Sequence, residues 1–478
     1  MSTLEQERRE LAEAVSIDPH GIDPIPDEGR DSTLLQQFWI WAGANIAPLN
    51  WVLGALGIYL GLSVVETIAV VVVGNVVGCA LFGLLCVMGH RTGVNQMVLS
   101  RSAFGRRGAY LPAAIQFLAA MAWVGVNTWV ILDLVLGVLK EIGYTGGTGT
   151  KYGIAAFLMV MQAIVAVYGF YLIRTFEKYT VPIIAGIFIA MSVLAWSKST
   201  VAWTHSTAHG SDKFTAMTQL MTAIGIGWGI SWFTYSADYS RFIKTKYSAA
   251  KVGWVTAAGL FVPTVWLPIL GASVASTGKG ETDPAKLVSS VFPTGVTILV
   301  LILIMHAPVA TNILNLYSSS LAALTLGIKA ARWKVTTFAG IVGAGVVVVF
   351  IEQNNWAVSF DNFMVSIIVW ISPWAGITFV EYFLLRRGKV DVRALYDPPE
   401  RSIYGDVNIA AVASFVIGLV AGWAWEYGLV SSFQGPIAKA INNTDFSWAA
   451  GMLVAGGLYY VLAGARVRET TAAAETAA

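Results

Sequence analysis

The sequence predicts an all-α polytopic membrane protein of twelve transmembrane helices, and three observations carry that prediction. Hydrophobic residues make up 56% of the 478 and charged residues only 12%, about half the roughly 25% charge of a soluble domain. Apolar runs of about eighteen residues or more recur along the chain, each long enough to cross roughly 30 Å of hydrocarbon as a helix. The runs are continuous Leu, Val, Ile, Ala and Gly, without the apolar/polar alternation of a membrane barrel. A helical bundle with the bilayer as its solvent follows, and an ordinary globular enzyme is excluded.

Residues 1–33 are charged and Pro-bearing, with no apolar core behind a basic start; a cytoplasmic tail without a cleavable signal peptide is expected. The spans read as 35–59, 64–88, 110–138, 153–173, 180–197, 215–236, 250–273, 290–326, 335–351, 361–385, 407–427 and 446–465. Cys79 and Cys86 lie seven residues apart in span 2, too far along one helix to bridge. With the N-terminus inside, all but seven of the 30 Lys and Arg fall on cytoplasmic segments. That bias predicts both termini in the cytoplasm. The Ala/Thr/Glu-rich residues 466–478 read as a polar cytoplasmic tail.

Glycine and proline mark two helices as broken at mid-membrane. Span 1 carries Trp41-Ala-Gly-Ala-Asn-Ile-Ala-Pro48-Leu-Asn50 and span 6 carries Gly225-Ile-Gly-Trp-Gly-Ile-Ser-Trp232. One glycine run is explained by close helix packing. Two interrupted segments five spans apart point to a five-plus-five inverted-repeat transporter with its site at the interruptions.

Trp123 and Asn127 in span 3 stand at i and i+4, placing an indole and an amide one turn apart on one face. That pair can stack a flat ring and bond its edge. Thr311, Asn312 and Asn315 put polar groups into apolar span 8, which is costly unless they are bonded or used; Asn312 and Asn315 can equally join helices. Asn45 adds an amide at the span 1 break. No acid or base sits clearly among these groups, so a neutral ligand is expected. Asp133 is rotated away from Asn127 and reads as a structural or gating residue. Asp238 and Arg241 close span 6, with a local ion pair as the default. His306 is the side chain whose ordinary pKa suits proton traffic near neutrality. No Walker loop, His-Glu-x-x-His or Asp-rich metal motif is present, so neither ATP-driven pumping nor enzyme chemistry is expected.

From about Asp31 to Arg468 the sequence resembles the purine-cytosine permease group of the nucleobase:cation symporter family. The markers are Gln37-Phe-Trp-Ile-Trp-Ala-Gly-Ala-Asn45, Gly89-His-Arg-Thr-Gly93 with Leu99-Ser-Arg-Ser-Ala-Phe-Gly105, Trp123-x-x-x-Asn127, Trp232-Phe-Thr-Tyr-Ser-Ala-Asp-Tyr-Ser-Arg-Phe242, Asn312-x-x-Asn315-x-Tyr317-Ser318, and Pro373-Trp-Ala-Gly376 before Arg386-Arg-Gly388. The resemblance implies two inverted repeats, about 35–197 and 215–385, with two extra helices within 407–465. It implies that Trp123 stacks on a base, that Asn127 and Asn315 bond its edge, and that Trp228 or Trp232 closes the other face. Many relatives hold sodium between span 1 carbonyls, here near Ala44 and Ala47, and two adjacent span 8 hydroxyls. This chain has Ala310-Thr311 there, so one hydroxyl is lost and sodium near Thr311 is placed in doubt. Glu177 matches an acidic position of proton-coupled members.

The resulting expectation is a monomeric plasma-membrane permease, without cofactor or nucleic-acid partner. It imports cytosine or purines such as adenine, guanine and hypoxanthine by cation-coupled alternating access, with H⁺ favoured over Na⁺. The alternatives are an allantoin, hydantoin, uracil or vitamin-precursor permease of the same fold, a membrane-embedded enzyme, and a channel.

Overall fold

The computed structural model describes residues 17–18, 20–198, 200–279, 284–352, 356–427 and 434–477. Regular structure among them is helical apart from one isolated pairing of Ser32 with Ile243. Among the described residues nine helices are long and apolar enough to cross a membrane, and Ile409–Ala424 is a shorter apolar helix. The remaining two predicted spans, 1 and 6, are the interrupted ones.

Span 1 is split into Leu34–Asn45 and Pro48–Tyr59. A capping box between Thr33 and Gln36 starts it, satisfying backbone N–H groups that a helix start leaves open. Ile46 leaves the helix (φ −76°, ψ 62°) and Ala47 is extended (φ −115°, ψ 143°). Pro48 then opens the second half, where its missing N–H would have had no helical partner.

Span 6 is interrupted over a longer stretch than the glycine run predicts. Gly210–Leu220 passes through a π-helical turn at Met221–Gly225 into Ile226–Ser231, followed by a tight turn at Phe233–Tyr235. Asn75 of span 2 (Val64–Thr92) donates to the Ile224 carbonyl at 2.9 Å, supplying a bond at a point where the regular ladder is disturbed.

Three boundaries differ from the sequence expectation. Spans 4 and 5 are Thr148–Tyr168 and Phe170–Lys198, separated by Gly169 at φ +90°, a conformation that a side chain would strain. Glu177, expected between two spans, is thereby carried inside span 5. Span 8 is preceded by a separate helix, Pro284–Val291, and runs as Thr294–Ile304 and His306–Thr325. The expected C-terminal tail is instead a continuation of span 12, helical over Ser447–Ala477, as its Ala, Glu and Arg content favours.

Span 7 (Ala249–Val274) packs on span 2 and on both halves of span 1; span 8 packs on span 3 (Tyr110–Glu141); spans 11 and 12 pack on each other and on span 10 (Trp356–Phe379). Of the predicted N-terminal tail, residues 1–16 and 19 lie outside the described residues, and the rest is bound to the bundle. Arg174, Arg241 and Arg332 are 2%, 0% and 4% exposed, and guanidinium groups stay charged, so each needs acceptors. The segment supplies them. Asp18 Oδ2 lies 3.9 Å from Arg332 Nε and accepts from the Tyr317 hydroxyl at 3.3 Å. Arg241 donates to the Gly21 carbonyl at 3.0 Å, and Asp31 accepts from Arg174 at 2.5 Å.

Removing one partner of a buried ion pair costs about 3–5 kcal/mol. Asp18→Ala and Arg332→Ala should each lower the melting temperature of the purified protein, and the double variant should melt close to the worse single variant. Additive losses would show that the two side chains do not act on each other.

Candidate functional site

A cavity lies where the two interruptions meet spans 3 and 8. Span 1 contributes Ala44, Ala47 and Leu49; span 3 contributes Trp123 and Asn127; span 6 contributes Trp228, Ser231, Trp232 and Tyr235; span 8 contributes Thr311 and Asn315. No Asp, Glu, Lys or Arg is among these lining residues. Such a lining, aromatic with a few amides and hydroxyls, has the chemistry that suits a small neutral ring with polar edges.

The indoles are set by contacts outside the cavity. Trp123 and Trp228 meet edge to face, with centroids 6.2 Å apart and planes at 79°, and Phe363 also meets Trp123 edge to face at 5.2 Å. Trp228 Nε1 donates to Asn45 Oδ1 at 2.7 Å and Trp232 Nε1 donates to the same oxygen at 3.1 Å. The Asn45 amide donates in turn to the Trp41 carbonyl one turn back at 2.7 Å. One side chain at the end of the first half-helix therefore holds both candidate aromatics of span 6.

The amides have separate assignments. Asn127 Nδ2 turns back to the Trp123 carbonyl at 3.0 Å. Asn315 Nδ2 is buried with no partner among the described residues; an amide left this way in an apolar wall is costly, and a ligand acceptor would satisfy it. Asn312 differs from the expectation. It is not among the lining residues and donates to the Val124 carbonyl at 3.2 Å and to Thr128 Oγ1 at 2.9 Å, joining span 8 to span 3. Asn45 likewise serves the tryptophans and is not itself a lining residue.

Around the expected cation position, Thr311 Oγ1 donates directly to the Ala44 carbonyl at 2.7 Å and to the Ala307 carbonyl at 2.9 Å. Ala310 is fully buried and brings no side-chain oxygen. Glu177 approaches the same half-helix from span 5. It is fully buried, and neither carboxyl oxygen has a hydrogen-bond partner among the described residues. The missing side chain of Gly43 makes room for it, since a Cβ there would stand 1.9 Å from Glu177 Oε2. His306 is not among the lining residues: Nε2 bonds Thr180 Oγ1 at 2.6 Å and the ring stacks on Phe176 at 5.0 Å.

The expected Asp238–Arg241 ion pair does not form among the described residues. Asp238 Oδ1 accepts the Gln96 backbone N–H at 2.9 Å, at the start of the short helix Gln96–Leu99, while Arg241 is drawn to the N-terminal segment and to the Tyr317 hydroxyl at 3.0 Å. Asp133 accepts the backbone N–H of Ala285 at 3.4 Å, at the start of Pro284–Val291, away from the cavity as its helical angle predicts. Sequence reasoning missed Leu49, Ser231 and Tyr235. Ser231 and Tyr235 flank Trp232 where the α-helix gives way to the tight turn, so helical spacing could not have placed them together.

Comparison with known proteins adds the following. The family described as permeases for cytosine/purines, uracil, thiamine and allantoin matches residues 24–451. A putative purine-cytosine permease of Bacillus subtilis (strain 168) is 26% identical, with 95% of this chain and 98% of that protein covered. A purine-cytosine permease of Saccharomyces cerevisiae is 26% identical over 92% and 86% of the two chains. Among solved structures, Mhp1, a nucleobase-cation-symport-1 family transporter with bromovinylhydantoin bound in a closed conformation, superposes with a TM-score of 0.74 over 96% of each chain. At 19% identity that likeness shows the fold alone.

Asn45→Leu leaves two buried indole N–H groups without their acceptor, at about 1–3 kcal/mol each. The variant should melt lower, and Trp228→Phe should cost less in its background than in the wild type. An unchanged cost would mean that the indole–amide bond contributes nothing to the folded state.

Proposed function

The chain belongs to the family of permeases for cytosine/purines, uracil, thiamine and allantoin, and from that premise we propose that it imports a neutral nucleobase, cytosine or a purine, by cation-coupled alternating access. The observation that carries the reading is the uncharged cavity walled by three tryptophans, with an unpartnered Asn315 amide in its side. A base lying against Trp123 meets a π-surface that any aromatic base can use. The edge bonds available from Asn127 and Asn315 differ from base to base, so they set selectivity. Trp228 and Trp232 remain joint candidates for the opposite face, since Asn45 orients both. The two broken helices supply segments that can rearrange about the occupied cavity. The Lys/Arg bias supports an orientation with both termini cytoplasmic, and the proposed setting is a monomer in the plasma membrane.

For coupling we favour a proton carried by Glu177. A hard cation such as sodium wants several oxygens, and Ala310 provides none while the Thr311 hydroxyl is bonded to the Ala44 carbonyl. Glu177 is a buried carboxyl without a hydrogen-bond partner among the described residues, in contact with the half-helix that bears Ala44. Movement of that half-helix would change what the carboxyl meets and so couple proton uptake and release to the conformational cycle. His306, bonded to Thr180, is the weaker candidate.

Uptake of radiolabelled cytosine, adenine, guanine and hypoxanthine into proteoliposomes should be saturable and concentrative, and Trp123→Ala should lower it about 5- to 100-fold, the range that loss of base stacking produces. Asn127→Ala and Asn315→Ala should change the preference among bases by about tenfold each. Preference for allantoin or a hydantoin over all four bases would overturn the substrate reading.

Accumulation should persist when choline replaces sodium and collapse with an uncoupler, and Glu177→Gln should retain base exchange while losing pH-driven accumulation. Uptake that vanishes without sodium and survives the uncoupler would reject proton coupling.

A further inference from the structure

A second recess lies among spans 2, 7 and 10, where spans 2 and 10 end and span 7 begins. Two of the sequence markers that the cavity does not use, Gly89-His-Arg-Thr-Gly93 and Arg386-Arg-Gly388, meet here. The recess is bordered by small residues because spans 2 and 7 cross closely: a Cβ on Gly83 would stand 2.4 Å from the Gly253 carbonyl. That crossing explains the small residues without a ligand.

The rim is different. Arg91 and Arg387 both line the recess and are both exposed. Neither forms an ion pair with an acidic side chain among the described residues. Gly388, at φ +80°, lets the Arg91 guanidinium lie against the turn that carries Arg387; a Cβ there would stand 2.6 Å from Arg91 Nη1. The neighbouring Arg386, by contrast, is buried and paired with Glu381 at 2.5 Å. The outer flank is apolar, with Leu84 44% and Trp254 76% exposed, and exposed tryptophan at helix ends is characteristic of the membrane interface. An occupant must therefore offer an apolar part to the recess and a negative charge to its rim.

We propose that this recess binds one anionic phospholipid, with its phosphate between Arg91 and Arg387 and an acyl chain along the exposed flank of Ala80, Leu84 and Trp254. Charge complementarity selects this occupant: guanidinium groups pair with phosphate oxygens in a two-pronged geometry, and basic pockets between membrane helices favour anionic head groups. Free phosphate would leave the apolar part of the recess empty. Because span 7 also packs on both halves of span 1, the lipid would brace the helix behind the first interruption.

The test is native mass spectrometry of the detergent-purified protein titrated with phosphatidylglycerol or with phosphatidylcholine of the same chains. The wild type should retain one phosphatidylglycerol about 25-fold more tightly than phosphatidylcholine, at roughly fivefold per arginine. Arg91→Gln with Arg387→Gln should abolish the preference. Ala250→Phe, which keeps both arginines and fills the recess from an exposed position, should also abolish it, which separates a seated lipid from diffuse charge attraction. Melting curves of each variant confirm folding, and the wild-type comparison decides the matter should a variant fail to fold. Equal retention of the two lipids by the wild type overturns the proposal, as does full retention of phosphatidylglycerol by either folded variant. Displacement by millimolar inorganic phosphate, or a dimer that excludes the lipid, would assign the recess to a free anion or a second copy and would equally overturn it.

Discussion

A helix that stops inside hydrocarbon leaves carbonyls that water cannot reach, and the need to satisfy them organises this protein. At the first interruption the Ala44 carbonyl takes the Thr311 hydroxyl and the Asn45 carbonyl takes the Asn50 amide at 2.6 Å. At the second, the Ile224 carbonyl takes the Asn75 amide. Each bond comes from a short polar side chain, and two of them reach across from another span. Span 8 is thereby tied to span 1 and span 2 to span 6, and the cavity forms where the interruptions face each other.

The same constraint accounts for the chemistry of the cavity wall. Charges are absent from it, while the polar groups that remain are amides, indoles and hydroxyls whose hydrogen bonds can be closed locally. Asn45 closes two indole bonds with one oxygen, so the polar edges of Trp228 and Trp232 are already satisfied. Asn315 is the exception, with its amide nitrogen open. Glu177 is a second exception of another kind, a carboxyl placed behind span 1 instead of in the cavity, in space that a side chain at Gly43 would take.

Arginines divide by how they are satisfied. Arg174, Arg241 and Arg332 are enclosed, and the chain's own N-terminal segment supplies carboxylates and a carbonyl to them. Arg91 and Arg387 sit at an open rim where neither forms an ion pair with an acidic side chain among the described residues. A charged group that the fold buries must be compensated by the fold, whereas one left at the membrane surface can take its partner from the lipid.

Much of the architecture was legible without coordinates. Continuous apolar runs announce helices in a bilayer, because no other spanning structure closes its backbone bonds within such runs, and Pro48 with the span 6 glycines located both interruptions. The Trp123–Asn127 pairing was legible because both residues belong to one helix, whose pitch is known in advance. What one helix cannot reveal is what it faces. Asn312 and Asn315 lie less than a turn apart and look alike in sequence, yet one joins two helices and the other opens on the cavity. Asn45 could be placed at a break but not assigned to two tryptophans nearly two hundred residues away. Asp238 and Arg241, neighbours in sequence, were drawn apart by stronger partners on other elements. Glu177 fell outside a span until Gly169, with its positive φ, set the boundary. Local periodicity thus determined the elements and their faces, while packing between distant segments decided which polar group meets which, because in a medium without water each must find its partner in another part of the chain.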